Sequence, residues 1–302
     1  QDALYLLNID FDSDACVEFA DYSMEVVSYY AILASSELAK ERGAYASFRG
    51  SKWDQGIMPI DTLDLLEKER GEKIDVSRDT KLDWNIVKNS IKEFGMRNSN
   101  CLAVAPTATT ANIVGCIPTV EPIYKNLYVK SNQAGDFTII NSYLVEDLKK
   151  AGLWDFEMLG KIKYNDGSIA NINEIPDAIK AKYKEVFEIN PRWIIKSAAY
   201  RGKWVDQSQS LNVYFNGTSG KELSDVYMYA WEMGLKTTYY LRSLAASQVE
   251  KSTINTSEFG STHLRKTETI SPITVGTGRD LSTSTTSKAC SITDPSCESC
   301  QA

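Results

Sequence analysis

No apolar run in this 302-residue chain approaches the roughly 20 residues that a membrane-spanning helix needs. The N-terminus also lacks the basic, apolar and small-residue order of a signal peptide. The sequence thus offers no membrane partner, and the cytoplasm is the expected compartment. Basic runs are missing too. With 33 Lys and Arg against 40 Asp and Glu, the net charge is -7 and the pI is near 5.0. Nothing in such a chain would displace counterions along a nucleic acid, although local binding of one nucleotide stays open. Histidine is almost absent: His263 is the only one, far upstream of Cys290. That is a poor zinc spacing, so His263 reads as a solvated residue rather than a ligand or a base, and no metal site is expected. Of the six cysteines, Cys16, Cys101 and Cys116 are scattered through patterned segments. They read as reduced thiols rather than a disulfide framework. No internal repeat is visible. The chain opens on Gln1 rather than Met, and Ala3 to Leu7 reads like the middle of something. A fragment or processed piece is expected, with an exposed apolar face along Ala3 to Leu7 and unpaired strand edges that need a partner.

What is present divides into two parts. Residues 1–242 carry enough of the 43% hydrophobic content for one large core or two modest ones. Residues 243–302 are dominated by Ser, Thr, Lys and Glu and punctuated by Pro272, Gly276 and Gly278. A stretch of that composition cannot bury enough surface to offset its ordering entropy, so it is expected to be a flexible tail. In the first part, residues 12–42 predict a long helix capped by Asp12 or Ser13 and ended by Gly43. Its core face is expected at Cys16, Phe19, Ala20, Val27, Tyr30, Ala31, Ala34 and Leu38. Further helices are predicted over Leu82–Phe94, Tyr143–Lys150, from Pro176 at a first helical position, over 191–206, and from a Ser219–Glu222 capping box to Trp231. Strands are predicted at Cys101–Ala105, Leu127–Lys130, Leu211–Phe215 and Lys236–Leu241. This alternation predicts an α/β sheet or barrel with parallel strands.

Three groups of residues could carry chemistry. The segment Cys101 to Gly115 reads as strand, small-residue turn and helix start, with Pro106, Thr107, Ala108, Thr109 and Thr110 in the turn. Backbone N–H groups, threonine hydroxyls and a helix N-terminus suit a phosphate, while a simple N-cap explains the same residues. Tyr239 and Tyr240 lie in the last predicted strand, where tyrosine is common for packing reasons. Adjacent strand residues point to opposite faces, so two tyrosines that touch would need a departure from regular pleating. The chain ends in Cys297-Glu298-Ser299-Cys300. Zinc would need four ligands and Cys290 supplies only a third, so a dithiol that shuttles electrons is the better reading. Glu298 between the thiols argues against a strongly depressed pKa. Glu121 and Asp206 could each be a catalytic acid or a simple cap, and caps are expected.

Taken in series, six segments resemble the class I ribonucleotide reductase large subunit. They are Met96-Arg-Asn-Ser-Asn-Cys-Leu-Ala-Val-Ala-Pro-Thr-Ala-Thr-Thr-Ala-Asn-Ile-Val-Gly115, Val120-Glu-Pro122, Leu127-Tyr-Val-Lys-Ser-Asn132, Trp204-Val-Asp-Gln-Ser-Gln-Ser-Leu-Asn212, Gly234-Leu-Lys-Thr-Thr-Tyr-Tyr-Leu-Arg242 and the terminal Cys-Glu-Ser-Cys. Each is weak alone, and together they cover nearly the whole chain in the family's order. The resemblance implies an α/β fold, the second half of a ten-stranded barrel in residues 1–242, with 243–302 as a mobile arm. It implies reduction of ribonucleoside diphosphates by a radical mechanism, the turn Pro106–Thr110 holding the substrate's diphosphate. Tyr239 and Tyr240 would pass a radical arriving from a small, metal-containing (beta) subunit toward an active-site cysteine. Cys297 and Cys300 would re-reduce the active-site disulfide and then be reduced by thioredoxin or glutaredoxin. No cofactor is implied for this chain itself. The family's radical-forming cysteine and its redox partners lie upstream of the matching region, and none of Cys16, Cys101 or Cys116 sits in such a motif. A separate N-terminal half of a split large subunit is therefore the expected partner. The rival reading is a non-catalytic phosphate-binding α/β fragment with a thiol or metal-binding tail.

Overall fold

The computed structural model describes residues 1–132 and 135–243. The predicted tail, with His263, Cys290, Cys297 and Cys300, lies outside the described residues.

The first residues fold as a short helix, α1 (Asp2–Leu7), rather than as a strand edge. Leu4 and Tyr5 point into the protein, while Leu6 and Leu7 are exposed, so an apolar face is open here on one side only. The predicted long helix is α2 (Asp14–Arg42). The Ser13 hydroxyl accepts the Cys16 N–H at its start, and Gly43 ends it at φ +79°. Its buried face differs from the one expected. Val27, Tyr30, Ala34 and Leu38 face outward, whereas Glu25, Ser28, Ser35 and Ser36 are buried. Apolar periodicity misses this because each buried polar group has found a specific partner. Glu25 Oε1 accepts the N–H groups of Lys81 and Leu82 and the indole N–H of Trp84. Ser28 Oγ donates to the Trp204 carbonyl at 2.7 Å. Ser35 and Ser36 pair with Asn98 and Ser90.

Helices α3 (Thr62–Arg70) and α4 (Trp84–Phe94) follow. Trp84 stacks on Trp204 with centroids 5.4 Å apart and planes 9° from parallel, in a core shared with Tyr29, Ile32 and Met96. The Trp204 indole N–H reaches Asp21 at 2.6 Å, which also pairs with the fully buried Lys203 ammonium. A buried charge without that carboxylate would cost several kcal/mol, on the order of 3–5.

After α5 (Ala108–Val114), β1 (Leu127–Asn132) pairs antiparallel with β2 (Gly135–Ile140) as a hairpin. The predicted strand at Leu127–Lys130 thus exists, but it stands outside the parallel sheet. Leu127 at the hairpin's base enters a second core with Tyr5, Leu144, Ile162 and Tyr183. That core is closed by α6 (Ser142–Lys150), α7 (Phe156–Tyr164) and α8 (Asp177–Lys182), which begins one residue later than expected because Pro176 is its N-cap. The last helices are α9 (Pro191–Gly202) and α10 (Gly220–Glu232). The Ser219 hydroxyl accepts Glu222 N–H, the forward half of the predicted capping box.

Parallel strand structure is present but short. Val104 bridges Gln209, and β3 (Val213–Tyr214) pairs with β4 (Leu241–Arg242). The intervening hydrogen bonds extend both ladders. Val104 N–H donates to Ser208 O and Ser210 N–H to Val104 O on one side. Val213 N–H donates to Tyr240 O and Phe215 N–H to Arg242 O on the other. Segment 206–215 is therefore the middle of three parallel strands, flanked by 101–105 and 239–242, and helices supply most of the remaining structure.

Candidate functional site

The parallel order decides what the sheet can present. The turn Pro106–Thr110 leaves the C-terminal end of the first strand, and Tyr239–Tyr240 run toward the same end of the third. One strand separates them, about 10 Å at the usual spacing. C-terminal ends of parallel strands are where α/β folds bind ligands, since the loops there are free to vary.

Two carboxylates, the half-buried Asp206 and the buried Glu121, fix the middle strand to the turn's surroundings, and neither is a helix cap. Asp206 accepts the N–H groups of Cys101 at 2.6 Å and Leu102 at 2.9 Å, just ahead of the turn. Glu121 accepts the Asn212 N–H at 2.7 Å and its side-chain amide at 3.1 Å, just after the turn. Burial pushes the Glu121 carboxyl up from its ordinary range, and the Asn212 donors pull it part of the way back. These bonds span about 90 to 105 residues of sequence. No local signal could have found them.

In the turn itself, Thr107 occupies the N-cap of α5 yet makes no side-chain capping bond. The simple capping explanation of Thr107 is not the one adopted. Thr109 and Thr110 are exposed, Ala111 is buried, and Ile113, at 81% exposure, and Val114 face outward from the same short helix.

The tyrosines touch. Their ring centroids lie 4.1 Å apart, and Tyr239 Oη donates to Tyr240 Oη at 3.3 Å. A regular parallel ladder gives one residue's N–H and C=O to successive alternate partners, and here the pattern slips. Tyr239 N–H donates to Leu211 O, but it is Tyr240 O, not Tyr239 O, that accepts Val213 N–H. Two residues occupy the interval of one. This bulge re-aims a side chain that alternation would send to the opposite face. The Arg242 guanidinium sits 5.1 Å from the Tyr240 ring centroid, and both phenols are about half exposed. The hydrogen bond to Tyr240 raises the pKa of Tyr239, so its phenol is neutral at pH 7.

The same strand is stitched down on its approach to the tyrosines. Lys236 Nζ donates to the carbonyls of Val205 and Gln207, and Thr237 Oγ1 to that of Gln209. Lys236, Thr237, Asn212 and Arg242 lie in the segments that carry the family resemblance, but the sequence alone gave none of them a role.

Cys16 is buried, Cys101 partly buried and Cys116 exposed, all unpaired. Burial pushes the Cys101 thiol up to about 11 and raises that of Cys16, which makes both poor nucleophiles at neutral pH. No helix among the described residues is long and apolar enough to cross a membrane.

Comparison with known proteins gives one family. Residues 1–241 match the ribonucleotide reductase barrel domain. The ribonucleoside-diphosphate reductase subunit alpha of Chlamydia pneumoniae is 53% identical over 261 residues, 86% of this chain and 25% of that protein. The large chain of Neurospora crassa is 40% identical, over 84% of this chain and 26% of its own length. Among solved structures, the Actinobacillus ureae class Id ribonucleotide reductase alpha subunit superposes with a TM-score of 0.59 at 27% identity, covering 80% of this chain and 37% of that one. The chain spans about a quarter of the length of the curated relatives it matches. The short parallel ladders and the barrel-domain match agree, and this chain belongs to the ribonucleotide reductase barrel-domain family.

Proposed function

We propose that this chain is the C-terminal part of the catalytic subunit of a ribonucleoside-diphosphate reductase, with residues 1–242 as barrel and 243–302 as a redox arm. The observation that carries the reading is the bulge that brings Tyr239 and Tyr240 into contact, one strand away from the strand leading to the threonine turn. A core-packing role would not need two half-exposed phenols forced onto one side of a strand. It would also leave the hydroxyl-to-hydroxyl bond without a purpose.

In this reading a radical reaches Tyr240 from the small, metal-containing subunit. The Tyr240 phenoxyl takes the hydrogen atom that Tyr239 already points at it, one electron and one proton together. Tyr240 is restored as a phenol and Tyr239 becomes the phenoxyl. Tyr239 then recovers a hydrogen atom from a cysteine thiol on the N-terminal partner polypeptide, which leaves the thiyl radical that attacks the ribose. Moving proton and electron together avoids a charged intermediate. The Pro106–Thr110 turn holds the substrate's diphosphate with backbone N–H groups and threonine hydroxyls. Cys297 and Cys300 return electrons from thioredoxin or glutaredoxin to the active-site disulfide.

The test is reconstitution: this chain, the matching N-terminal polypeptide, the small subunit and a thioredoxin system are mixed with a ribonucleoside diphosphate. Deoxynucleotide formation is expected from the full mixture and from no mixture lacking one part. An assembled complex without turnover would overturn the reading.

A further inference from the structure

An unbroken file of aromatic rings leads from the first core to the surface. Trp204, fully buried, stacks on Trp84 at 5.4 Å with planes 9° apart. Trp84 meets Tyr29 edge-on at 5.6 Å, and Tyr29 meets Tyr30 edge-on at 5.2 Å. Trp84 and Tyr29 are buried, whereas Tyr30 stands 60% exposed on α2. Packing accounts for the ring contacts, since edge-to-face and offset-stacked pairs are the favoured geometries. It does not account for the partners that the indole N–H groups have found.

Both indoles donate to carboxylates. Trp204 Nε1–H reaches Asp21 at 2.6 Å, and Trp84 Nε1–H reaches Glu25 at 3.2 Å. A third tryptophan of the same core, Trp53, donates instead to the Ser99 carbonyl at 2.9 Å. A carbonyl satisfies an indole N–H without bringing a charge into the core, so it is the less costly acceptor. What a carboxylate can do and a carbonyl cannot is take the proton. An indole that loses one electron becomes a strong acid, and its positive charge would be buried. Lys203 Nζ, 5.0 Å from the Trp204 ring centroid, opposes that charge further. Passing the proton to Asp21 or Glu25 leaves a neutral indolyl radical instead. Asp21 also pairs with Lys203 and keeps 21% of its side chain exposed, whereas Glu25 is buried and also accepts the N–H groups of Lys81 and Leu82.

We propose that Trp204, Trp84, Tyr29 and Tyr30 form a one-electron relay that drains an oxidising equivalent from the core to the surface at Tyr30. A one-electron oxidant, a small inorganic or organic radical, takes an electron from an indole and becomes its anion. The indole N–H proton passes to the carboxylate bonded to it. An electron drawn from Tyr30 through the Tyr29 ring then refills the indole, and the carboxylate returns the proton. Tyr30 releases its phenolic proton to water and is left as the phenoxyl radical. A soluble hydrogen-atom donor of the ascorbate class restores the phenol. The radical comes to rest on Tyr30 because, of the four rings, this one is open to bulk water and to a reductant. Both indoles and Tyr29 are left chemically intact. The relay stands whether or not Tyr239 and Tyr240 carry a radical.

Azide radicals generated by pulse radiolysis, which oxidise indoles in preference to phenols, test it on the full chain. A first-order conversion of indolyl into phenoxyl absorption is expected, at a rate independent of protein concentration. Trp84→Phe and the double variant Tyr29→Phe with Tyr30→Phe should each remove that same phase. Tyr22→Phe, at another exposed position of α2, should leave it unchanged. Glu25→Gln, which accepts the indole N–H but not its proton, should slow it. Ascorbate should quench the phenoxyl of the parent in proportion to its concentration, and far more slowly in Tyr30→Phe, where the radical is held on the buried Tyr29. The proposal is overturned by the lack of a conversion phase, by a phase unchanged in the double variant or in a folded Glu25→Gln, or by equal quenching in Tyr30→Phe. The tyrosine variants keep the ring contacts, so the test holds if Trp84→Phe does not fold.

Discussion

Tyr239 and Tyr240 are neighbours in sequence that share one side of their strand, hydroxyl to hydroxyl at 3.3 Å. Regular pleating forbids this, and the one-residue slip against Leu211 and Val213 permits it. A bulge costs ladder hydrogen bonds, so its position at the two phenols is a structural reason to place chemistry there.

Tyr239→Phe and Tyr240→Phe should each lower deoxynucleotide formation in the reconstituted enzyme by at least about a hundredfold, roughly 3 kcal/mol or more in the barrier. Phenylalanine keeps the ring contact but cannot be reversibly oxidised. Both side chains are half exposed, so circular dichroism and unfolding midpoints should stay unchanged. Turnover retained in either variant removes that residue from the radical path.

Thr109→Val replaces an exposed hydroxyl by a methyl of similar shape. It should raise the KM for a ribonucleoside diphosphate about tenfold, roughly 1.4 kcal/mol, with a stability change within about 0.5 kcal/mol. An unchanged KM would place the diphosphate elsewhere.

Asp206→Ala leaves the N–H groups of Cys101 and Leu102 without their acceptor. A loss of about 1–3 kcal/mol is expected from chemical denaturation. Asp206→Asn, which retains one acceptor oxygen, should lose less. If alanine proves harmless, the carboxylate is not what joins the first strand to the second.

Glu185 gives a pH prediction. Burial pushes its carboxyl up to about 8, Glu188 adds to the rise, and the Asn126 N–H donor offsets part of it. A carboxyl raised in the folded state binds its proton more tightly there than in the unfolded chain. The stability it contributes is therefore present below its unfolded value of 4.5 and lost as pH rises through about 8. Glu185→Gln keeps the acceptor oxygen and cannot ionise. At pH 9 it should be more stable than the parent by about 2 kcal/mol or more, with little difference at pH 5. Parallel stability curves from pH 5 to 9 would contradict this.

Local chemistry in the sequence located most elements. Ser13 and Gly43 bounded α2, Ser219 opened α10, and α4 and α6 formed where helices were expected. Strands were legible as extended segments but not in their pairing. Leu127–Lys130 looks like any other strand, yet its partner is Phe137 to Ile140 in a hairpin. The α2 face was misread because Glu25, Ser28, Ser35 and Ser36 are buried only by virtue of acceptors and donors supplied from distant loops.

By itself the sequence determined the family, through motifs whose order along the chain carries the information, and it named the two tyrosines and the threonine turn. Only the tertiary structure decided that the tyrosines meet and that Asp206 and Glu121 are strand clamps. The same is true of the bonds that tie Lys236 to the Val205 and Gln207 carbonyls. The reason is physical. Motifs and caps act within a few residues, whereas a bulge, a buried carboxylate's donors and a lysine's carbonyl acceptors are set by which strands lie side by side, and that is fixed by contacts about a hundred residues apart in the chain.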